Sequence, residues 1–149
     1  MENKIIALGS DHAGFELKEK VLAYLKSKER ATLDLGTNSR ASCDYPLFAK
    51  KVADTVLKKE AHCGILICGT GLGMAIAANR VKGIRAVCVE NTFSARASRE
   101  HNDSNILCLG ARVLGESIVF DIIDNWLTTP FEGGRHINRI DMFEHMDIL

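Results

Sequence analysis

Short apolar runs recur along the chain, and stretches with helical spacing separate them. Gly64 to Ile67 is the clearest run, because it is apolar, rich in β-branched residues and free of charge. Runs of this kind are typical of strands that are buried on both faces of a parallel sheet. The pattern predicts five strands, at Lys4 to Gly9, Ala31 to Leu35, Gly64 to Cys68, Arg85 to Val89 and Ile106 to Leu109.

Apolar residues at helical spacing predict a helix after each strand. In the first helix they are Phe15, Leu17, Val21, Leu22 and Leu25, which share one face. The predicted helices are Phe15 to Lys28, Tyr45 to Lys59, Leu72 to Asn79, Thr92 to His101 and Glu116 to Leu127. Parallel strands joined by right-handed crossovers stack into layers. We therefore expect an α/β fold, a three-layer α/β/α sandwich with a five-stranded parallel Rossmann-like sheet.

The C-terminal segment interrupts this alternation. Pro130 to Gly134 breaks the chain after the fifth helix, and Arg135 to Met146 has the pattern of a short helix. We expect residues 130–149 to form a C-terminal helical arm. The length of 149 residues, with 46% hydrophobic and 26% charged side chains, is typical of one globular domain. A single domain is therefore expected over residues 1–149.

Charge and cysteine content narrow the classes of partner. Nineteen basic and nineteen acidic side chains cancel, so no net field attracts nucleic acid or an anionic membrane. The five cysteines contain no C-x-x-C pair, which argues against a disulfide framework or structural zinc. No segment approaches the ~20 apolar residues of a membrane span, and the start of the sequence lacks an export signal. We expect a cytoplasmic protein with a small-molecule partner.

A thiol, a glycine loop and a helix follow one another at the end of the third predicted strand. Cys68 is followed by Gly69, Gly71 and Gly73. Glycines allow positive φ and leave backbone N–H groups free to face an anion at the positive end of the helix. A cysteine in that field favours its thiolate, which acts as a base or nucleophile. Cys68 is therefore a candidate catalytic residue; the alternative is that it fills space between strand and helix.

Two further polar loops are expected at the same edge, because ligands of parallel α/β sheets bind at the carboxyl ends of the strands. Strand one ends in Ser10 to Gly14, and strand five ends in Gly110 to Arg112. Asp11 is equally well explained as a cap of the first helix. His12 lies in the first turn, where the helix dipole disfavours a charged imidazole, so a phosphate partner would account for it.

Candidate residues also occur near the opposite edge of the predicted sheet. The fourth helix must end at the amino edge, so His101 and Asn102 would reach Cys68 only across a dimer. Alternatively, His101 complements the helix dipole and Asn102 forms a left-handed C-cap. Arg135 and Arg139 share a helical face, which suits a phosphate between them. The alternative for this pair is a solvated helix face.

Seven segments, spread over nearly the whole chain, form a specific combination. They are Gly9 to Gly14, Asp44 to Pro46, Ile67 to Gly73, Ile76 to Asn79, Gly83 to Ala86, Ser98 to Asp103 and Glu132 to His136. In these segments the chain resembles the ribose-5-phosphate isomerase B family, which also contains allose-6-phosphate and galactose-6-phosphate isomerases. One subgroup uses a glutamate after the glycine loop. Here Met74 and Ala75 stand in that neighbourhood and Cys68 is present, so the chain resembles the cysteine subgroup.

The resemblance implies a role for each candidate residue. Cys68 would move a proton between C1 and C2 of the sugar, and Thr70 would support it. His101 of a partner subunit would open the furanose ring. The implied substrate-binding residues are Asp11, His12, Tyr45, Gly69, Gly71, Gly73 and Asn102, with the loop amides facing the enediolate oxygens. The implied phosphate-binding residues are His12, Arg112, Arg135 and Arg139.

The resemblance implies an isomerase that interconverts ribose 5-phosphate and ribulose 5-phosphate through a cis-enediolate, a reaction of the pentose phosphate pathway. Such an enzyme would need neither a metal nor a cofactor. It would act as a homodimer, or a dimer of dimers, with active sites shared between subunits. An isomerase of allose or galactose 6-phosphate is an open alternative. A nucleotide-binding module is another, in which the glycine loop holds a pyrophosphate and Glu90 contacts a ribose.

Overall fold

The computed structural model describes residues 4–149, and its centre is a five-stranded sheet in which every pair of neighbouring strands is parallel. The predicted parallel sheet is confirmed, and the strand bounds agree with the prediction to within two residues. The strands are β1 (Ile6–Ser10), β2 (Thr32–Asp34), β3 (Cys63–Cys68), β4 (Ala86–Cys88) and β5 (Ile106–Gly110). Their spatial order is β2-β1-β3-β5-β4.

Helices cover both faces of the sheet, as predicted. They are α1 (Phe15–Ser27), α2 (Tyr45–Leu57), α3 (Leu72–Ala78), α4 (Thr92–Glu100), α5 (Glu116–Thr128) and α6 (Arg135–Asp141). Buried side chains of α1, α4 and α5 form one core with the sheet, and those of α2 and α3 form the other. The strand order accounts for this division. A right-handed crossover puts its helix on one face of the sheet when the next strand lies toward one edge, and on the other face when the next strand lies toward the opposite edge.

The strand order gives the sheet one edge where three connecting loops meet. The central strand β3 pairs with β1 on one side and with β5 on the other. Ser10 lies opposite Ile67 in the ladder, and Cys68 lies opposite Gly110. The loops after β1, β3 and β5 therefore emerge side by side, as expected for a ligand site of an α/β sheet.

The predicted C-terminal arm is helical. After α6 the chain continues as a 3₁₀ segment over Met142–Ile148. The amide of Glu132 donates to the carbonyl of Glu100 at 3.1 Å, which fixes the start of the arm to the end of α4. Over residues 4–149, no helix is long and apolar enough to cross a membrane.

Candidate active site

Cys68 is the last residue of β3, and its thiol faces the glycine loop. Its side chain lies in the core formed with α2 and α3, and the residue is only 5% exposed. The sulfur accepts the N–H of Gly71 at 3.1 Å. Gly71 can direct its amide in this way because its φ is +79°, in the left-handed region that favours glycine. The loop therefore supplies a hydrogen-bond donor to the Cys68 sulfur.

The remaining polar groups of the loop face outward. The Thr70 hydroxyl accepts the N–H of Leu72 at 3.4 Å, so its described hydrogen bond belongs to the start of α3 and not to the thiol. Among residues 4–149, the amides of Gly69 and Thr70 have no hydrogen-bond acceptor. Arg112 covers the same loop, since a Cβ built on Gly69 would lie 3.2 Å from its Nη1. The loop thus presents free amides beside an exposed guanidinium.

Asp11 and His12 follow β1 and border the same loop. The Asp11 carboxylate accepts the amides of Ala13 and Gly14 at 3.0 and 3.1 Å, so it caps the turn that leads into α1. Nδ1 of His12 accepts the amide of Cys43 at 3.2 Å. An imidazole nitrogen that accepts an N–H has no proton of its own, so Nε2 is the nitrogen that can donate to a ligand.

Tyr45 closes one side of this edge. It is the first residue of α2, and its ring lies over Gly73, where an added Cβ would meet ring carbons at 2.8 Å. A larger residue at position 73 would therefore have to displace the Tyr45 ring. We call the residues gathered here the carboxyl-edge cluster. Its members are Asp11, His12, Tyr45, Cys68, Gly69, Thr70, Gly71, Gly73 and Arg112.

A second group of predicted residues lies at the opposite end of the sheet. His101 follows α4, and its ring stacks on that of His136 with centroids 4.6 Å apart. Glu132 faces both rings, with its Oε2 4.0 Å from His101 Nε2 and 3.6 Å from His136 Nε2. We call His101, Asn102, Glu132, Arg135, His136 and Arg139 the amino-edge cluster.

The two tail arginines are charged groups without partners. Arg135 and Arg139 lie on α6 as predicted and are exposed. Within the described part of the chain, neither forms an ion pair. Two like charges one turn apart repel unless an anion lies between them, so the pair fits an anion-binding role.

The end of α4 corrects one detail of the sequence interpretation. The left-handed residue is Asp103, with φ of +45°, and not Asn102. The Asp103 carboxylate binds Arg85 and Arg99 at 3.2 and 2.9 Å, which holds it in this conformation. Asn102 is consequently free of the capping role, and its side chain is exposed.

The predicted site residues therefore fall into two clusters at opposite edges of one sheet. Cys68 ends a strand, whereas His101 follows a helix that runs back to the strand starts, next to Arg85 just before β4. Within one chain the two groups do not come together. This is the separation that the sequence predicted for His101.

The sequence analysis included Glu132 and His136 in one matching segment but assigned neither a role in the site. The two residues are brought together by the turn at Gly133 and Gly134, which have φ of +68° and +58°, so helical spacing could not have revealed the contact. Likewise, the Cys43 amide that orients His12 is contributed from a loop 31 residues away, which no local pattern reveals.

The position of Glu90 argues against a dinucleotide site. This residue follows β4, and β5 lies between β4 and the strand that ends in the glycine loop. A ribose-contacting carboxylate follows the strand next to the glycine loop in the dinucleotide fold. Glu90 is therefore one strand too far from the loop to take that role.

Comparison with known proteins supplies the family. The profile of the Ribose/Galactose Isomerase family matches residues 6–143. Ribose-5-phosphate isomerase B of Escherichia coli is 47% identical over 138 residues, 93% of each chain. A ribose 5-phosphate isomerase structure from Thermotoga maritima is 51% identical with a TM-score of 0.95, covering 97% of this chain and 99% of that one. A Mycoplasma genitalium ribose-5-phosphate isomerase B, solved with bound ribulose-5-phosphate, is 42% identical with a TM-score of 0.92, covering 99% and 98%. The chain therefore belongs to the ribose/galactose isomerase family.

Proposed function

We propose that this protein interconverts ribose 5-phosphate and ribulose 5-phosphate. The observation that carries the proposal is the Cys68 thiol, which is nearly buried beside a loop of free amides at the end of the central strand. The relative from Mycoplasma genitalium that was solved with ribulose-5-phosphate supports the pentose as substrate. Isomerisation of an aldose to a ketose also matches the family to which the chain belongs.

The chemistry divides into proton transfer and charge stabilisation. The Cys68 thiolate takes the proton from C2 of the open-chain aldose, and a cis-enediolate forms with its negative charge on oxygen. A proton passes from the O2 hydroxyl to O1, and the thiol returns its proton to C1, which gives the ketose, so no electron leaves the substrate. Free amides of Gly69 and Thr70 are suited to the developing oxyanion. General-base catalysis contributes about 10²–10⁴-fold, and one oxyanion donor contributes about 10²–10³-fold.

Ring opening and phosphate binding use the amino-edge cluster of a second subunit. His101 transfers the protons that open the furanose, and Asn102 orients the sugar. Arg135 and Arg139 bind the phosphate, together with His12 and Arg112 of the carboxyl-edge cluster. We propose this composite site because the two clusters lie at opposite edges of one sheet, so one chain lacks a complete site.

Two apolar surfaces support a symmetric dimer of this kind. Leu47, Leu72 and Ile76 are 63%, 57% and 70% exposed on α2 and α3, beside the thiol loop. A groove of about 490 Å³ borders Asn102, with Phe143 and Met146 among its lining residues. Because a two-fold interface pairs the same surfaces twice, the apolar side chains of each subunit can fill the groove of the other. Both half-sites would then meet at the interface.

We further propose that the protein works in the cytoplasm, in the pentose phosphate pathway. All five cysteines are free, including the buried ones. Unpaired thiols are typical of a reducing compartment. The proposed isomerisation needs no redox cofactor, because the oxidation of C2 and the reduction of C1 balance within one molecule.

The proposal is tested by incubating the purified chain with ribose 5-phosphate in the presence of a chelator and following ribulose 5-phosphate. Allose 6-phosphate and galactose 6-phosphate are run in parallel. Turnover of the pentose without added metal is the expected result. Turnover of only a hexose phosphate would keep the thiol chemistry and assign the chain to the hexose branch of the family. No turnover of any of the three sugars would contradict the proposal.

A further inference from the structure

The amino-edge cluster contains three side chains whose ligand atoms converge. One nitrogen of His101, one oxygen of Glu132 and one nitrogen of His136 all lie within 4.8 Å of one another. The His136 side chain is only 8% exposed, and its Nε2 lies 3.6 Å from Oε2 of Glu132. Within residues 4–149, none of the three side chains makes a hydrogen bond of ordinary length. The three side chains therefore lie close together, and no other described side chain engages them.

The donor set is the one that borderline divalent metals prefer. Two imidazoles and one carboxylate bind Zn²⁺ in catalytic zinc sites and leave a fourth position open. Metal–ligand bonds of about 2.0–2.2 Å in a tetrahedron put ligand atoms about 3.3 Å apart. The separations from Glu132 of 3.6 and 4.0 Å exceed this by less than about 1 Å, and all three atoms lie within 4.8 Å of one another. The His101 and His136 rings are stacked, so the His101 ring must turn away from that of His136 for both to bind one metal. His101 and Glu132 are about half exposed, so rotation of their side chains can close the difference.

The backbone holds these three residues together before any metal binds. The Glu132 amide donates to the carbonyl of Glu100, directly before His101. Glu132 and His136 flank a tight turn in which Gly133 and Gly134 have φ of +68° and +58°. Only glycine adopts these values without strain, so the turn fixes the spacing of the two ligands. Such prior ordering lowers the entropic cost of binding.

We propose that His101, Glu132 and His136 form a binding site for one divalent transition metal of the Zn²⁺ class. A bound metal takes the nitrogen lone pair of His101, which then cannot transfer a proton. Zn²⁺ is consequently an inhibitor of the isomerase. The binding part of this inference stands on the three side chains alone, whereas the inhibition rests on the function proposed above for His101.

Binding is tested with Co²⁺ as a spectroscopic probe, on the full chain, followed by displacement with Zn²⁺. A site of nitrogen and oxygen ligands gives weak visible bands without the intense sulfur-to-cobalt absorption that cysteine ligands produce. His136→Asn and Glu132→Gln are expected to lower the affinity by more than about tenfold, since even loss of an outer-shell partner costs about 10–100-fold. His145→Asn, an exposed histidine farther along the same arm, is the matched control and keeps full affinity.

The outcomes separate the metal site from the proposed function. A sulfur-to-cobalt band, or an affinity that neither triad variant changes, overturns the metal site. Inhibition of the wild-type enzyme at the Zn²⁺ concentration that displaces Co²⁺ supports both parts. Displacement without inhibition refutes the link to His101. A protein that isomerises no sugar phosphate but loses Co²⁺ in the variants has the metal site and lacks the proposed function.

Discussion

The five thiols of this chain differ in what surrounds each sulfur. Burial raises the pKa of Cys63 to about 12 and raises that of Cys108 well above its ordinary value, because a thiolate loses its solvation there. Cys68 is equally enclosed, but its sulfur accepts the amide of Gly71. The described surroundings of Cys68 thus differ from those of Cys63 and Cys108 by one hydrogen bond from the glycine loop.

Cys68→Ala is expected to lower kcat by at least about 10²-fold, since it removes the proposed base. The fold is expected to persist, because alanine fits the space of the thiol. Cys63→Ala is the matched control, a buried cysteine at the other end of the same strand, and is expected to keep wild-type turnover. Turnover by both purified variants, with circular dichroism as the check on folding, measures this. Loss of activity in Cys63→Ala alone would reverse the assignment.

At the residue scale, local patterns predicted chemistry better than they predicted contacts. Asp11 was equally consistent with a cap and with a ligand, and the described carboxylate oxygen accepts two amides of the turn before α1. Lys18 shares the apolar face of α1 with Val21 and Leu25, and the structure buries it fully and pairs it with Asp34 at 2.7 Å. Asp34 belongs to strand β2, 16 residues away, so no local pattern could indicate this ion pair.

At the element scale, the junction between β3 and α3 depends on one glycine. Gly71 has φ of +79°, and an added Cβ would lie 2.9 Å from the Cys88 sulfur and 3.0 Å from the Leu109 carbonyl carbon. Both the backbone conformation and the space therefore exclude other residues. Since the amide of Gly71 also reaches the Cys68 sulfur, strain here disturbs the thiol as well as the fold.

Gly71→Ser is expected to lower the free energy of unfolding by about 1–3 kcal/mol, the cost of a left-handed conformation in a non-glycine residue. Gly115→Ser is the matched control, because Gly115 has φ of −73° and no atom within 4 Å of an added Cβ. It is expected to stay within about 0.5 kcal/mol of wild type. Urea denaturation of the two variants measures both values. Equal stability of the two variants would contradict the role given to Gly71.

Helices α1 and α5 are joined by one aromatic side chain. Tyr24 stacks on Phe120 with ring centroids 4.1 Å apart, and its hydroxyl donates to Asp124 at 2.6 Å. The hydrogen bond to Asp124 raises the pKa of Tyr24 to about 12, since the carboxylate stabilises the protonated phenol. The contact therefore stabilises the fold most below the ordinary tyrosine pKa.

Tyr24→Phe keeps the stacking and removes the hydrogen bond, so the free energy of unfolding at pH 7 is expected to fall by about 1 kcal/mol. The pKa of the phenol is higher in the folded state than its unfolded value of about 10, so the stabilisation is complete below pH 10 and lost as pH rises toward 12. Urea denaturation of wild type and variant from about pH 9 to about pH 11.5 measures the difference. A difference that stays constant over this range would contradict the assignment.

Element bounds were predictable because each strand is a short apolar run and each helix has its own apolar face. The order of the strands in the sheet was not predictable, because β4 and β5 are both short apolar runs. If they exchanged places in the sheet, every local sequence pattern would stay the same. The order became visible only in the register, where β5 pairs with both β3 and β4. The contacts of His101 with Glu132 and His136 could not be predicted from local patterns either, because they form only when the C-terminal arm folds back onto α4.

At the scale of the whole molecule, the separation of the two clusters makes a quantitative prediction. Cys68→Ala and His101→Ala subunits are each expected to be inactive alone. Mixed by unfolding and refolding together, they are expected to recover about a quarter of wild-type activity, since half of the dimers are mixed and each of those has one intact site. Sugar phosphate turnover of the mixture measures the recovery.

The controls for this experiment change one residue inside the proposed dimer interface and one residue outside it. Ile76→Glu, added to both subunits, introduces charge into the apolar surface and is expected to prevent recovery. Ile118→Glu changes an exposed isoleucine on α5, across the sheet, and is expected to leave recovery intact. If activity is still recovered with Ile76→Glu in both subunits, the dimer interface does not include this surface. No recovery in any mixture, with dimers present by light scattering, would refute the shared site.

The place of α5 near the end of the sequence also affects how a growing chain folds on the ribosome. β1 is made first, yet the core that covers it includes Trp126 of α5, near the end of the chain. Until that helix has emerged, the nascent chain exposes the apolar faces of β1 and β3, and its open strand edges invite aggregation. Closure of this core therefore waits for nearly complete synthesis of the chain.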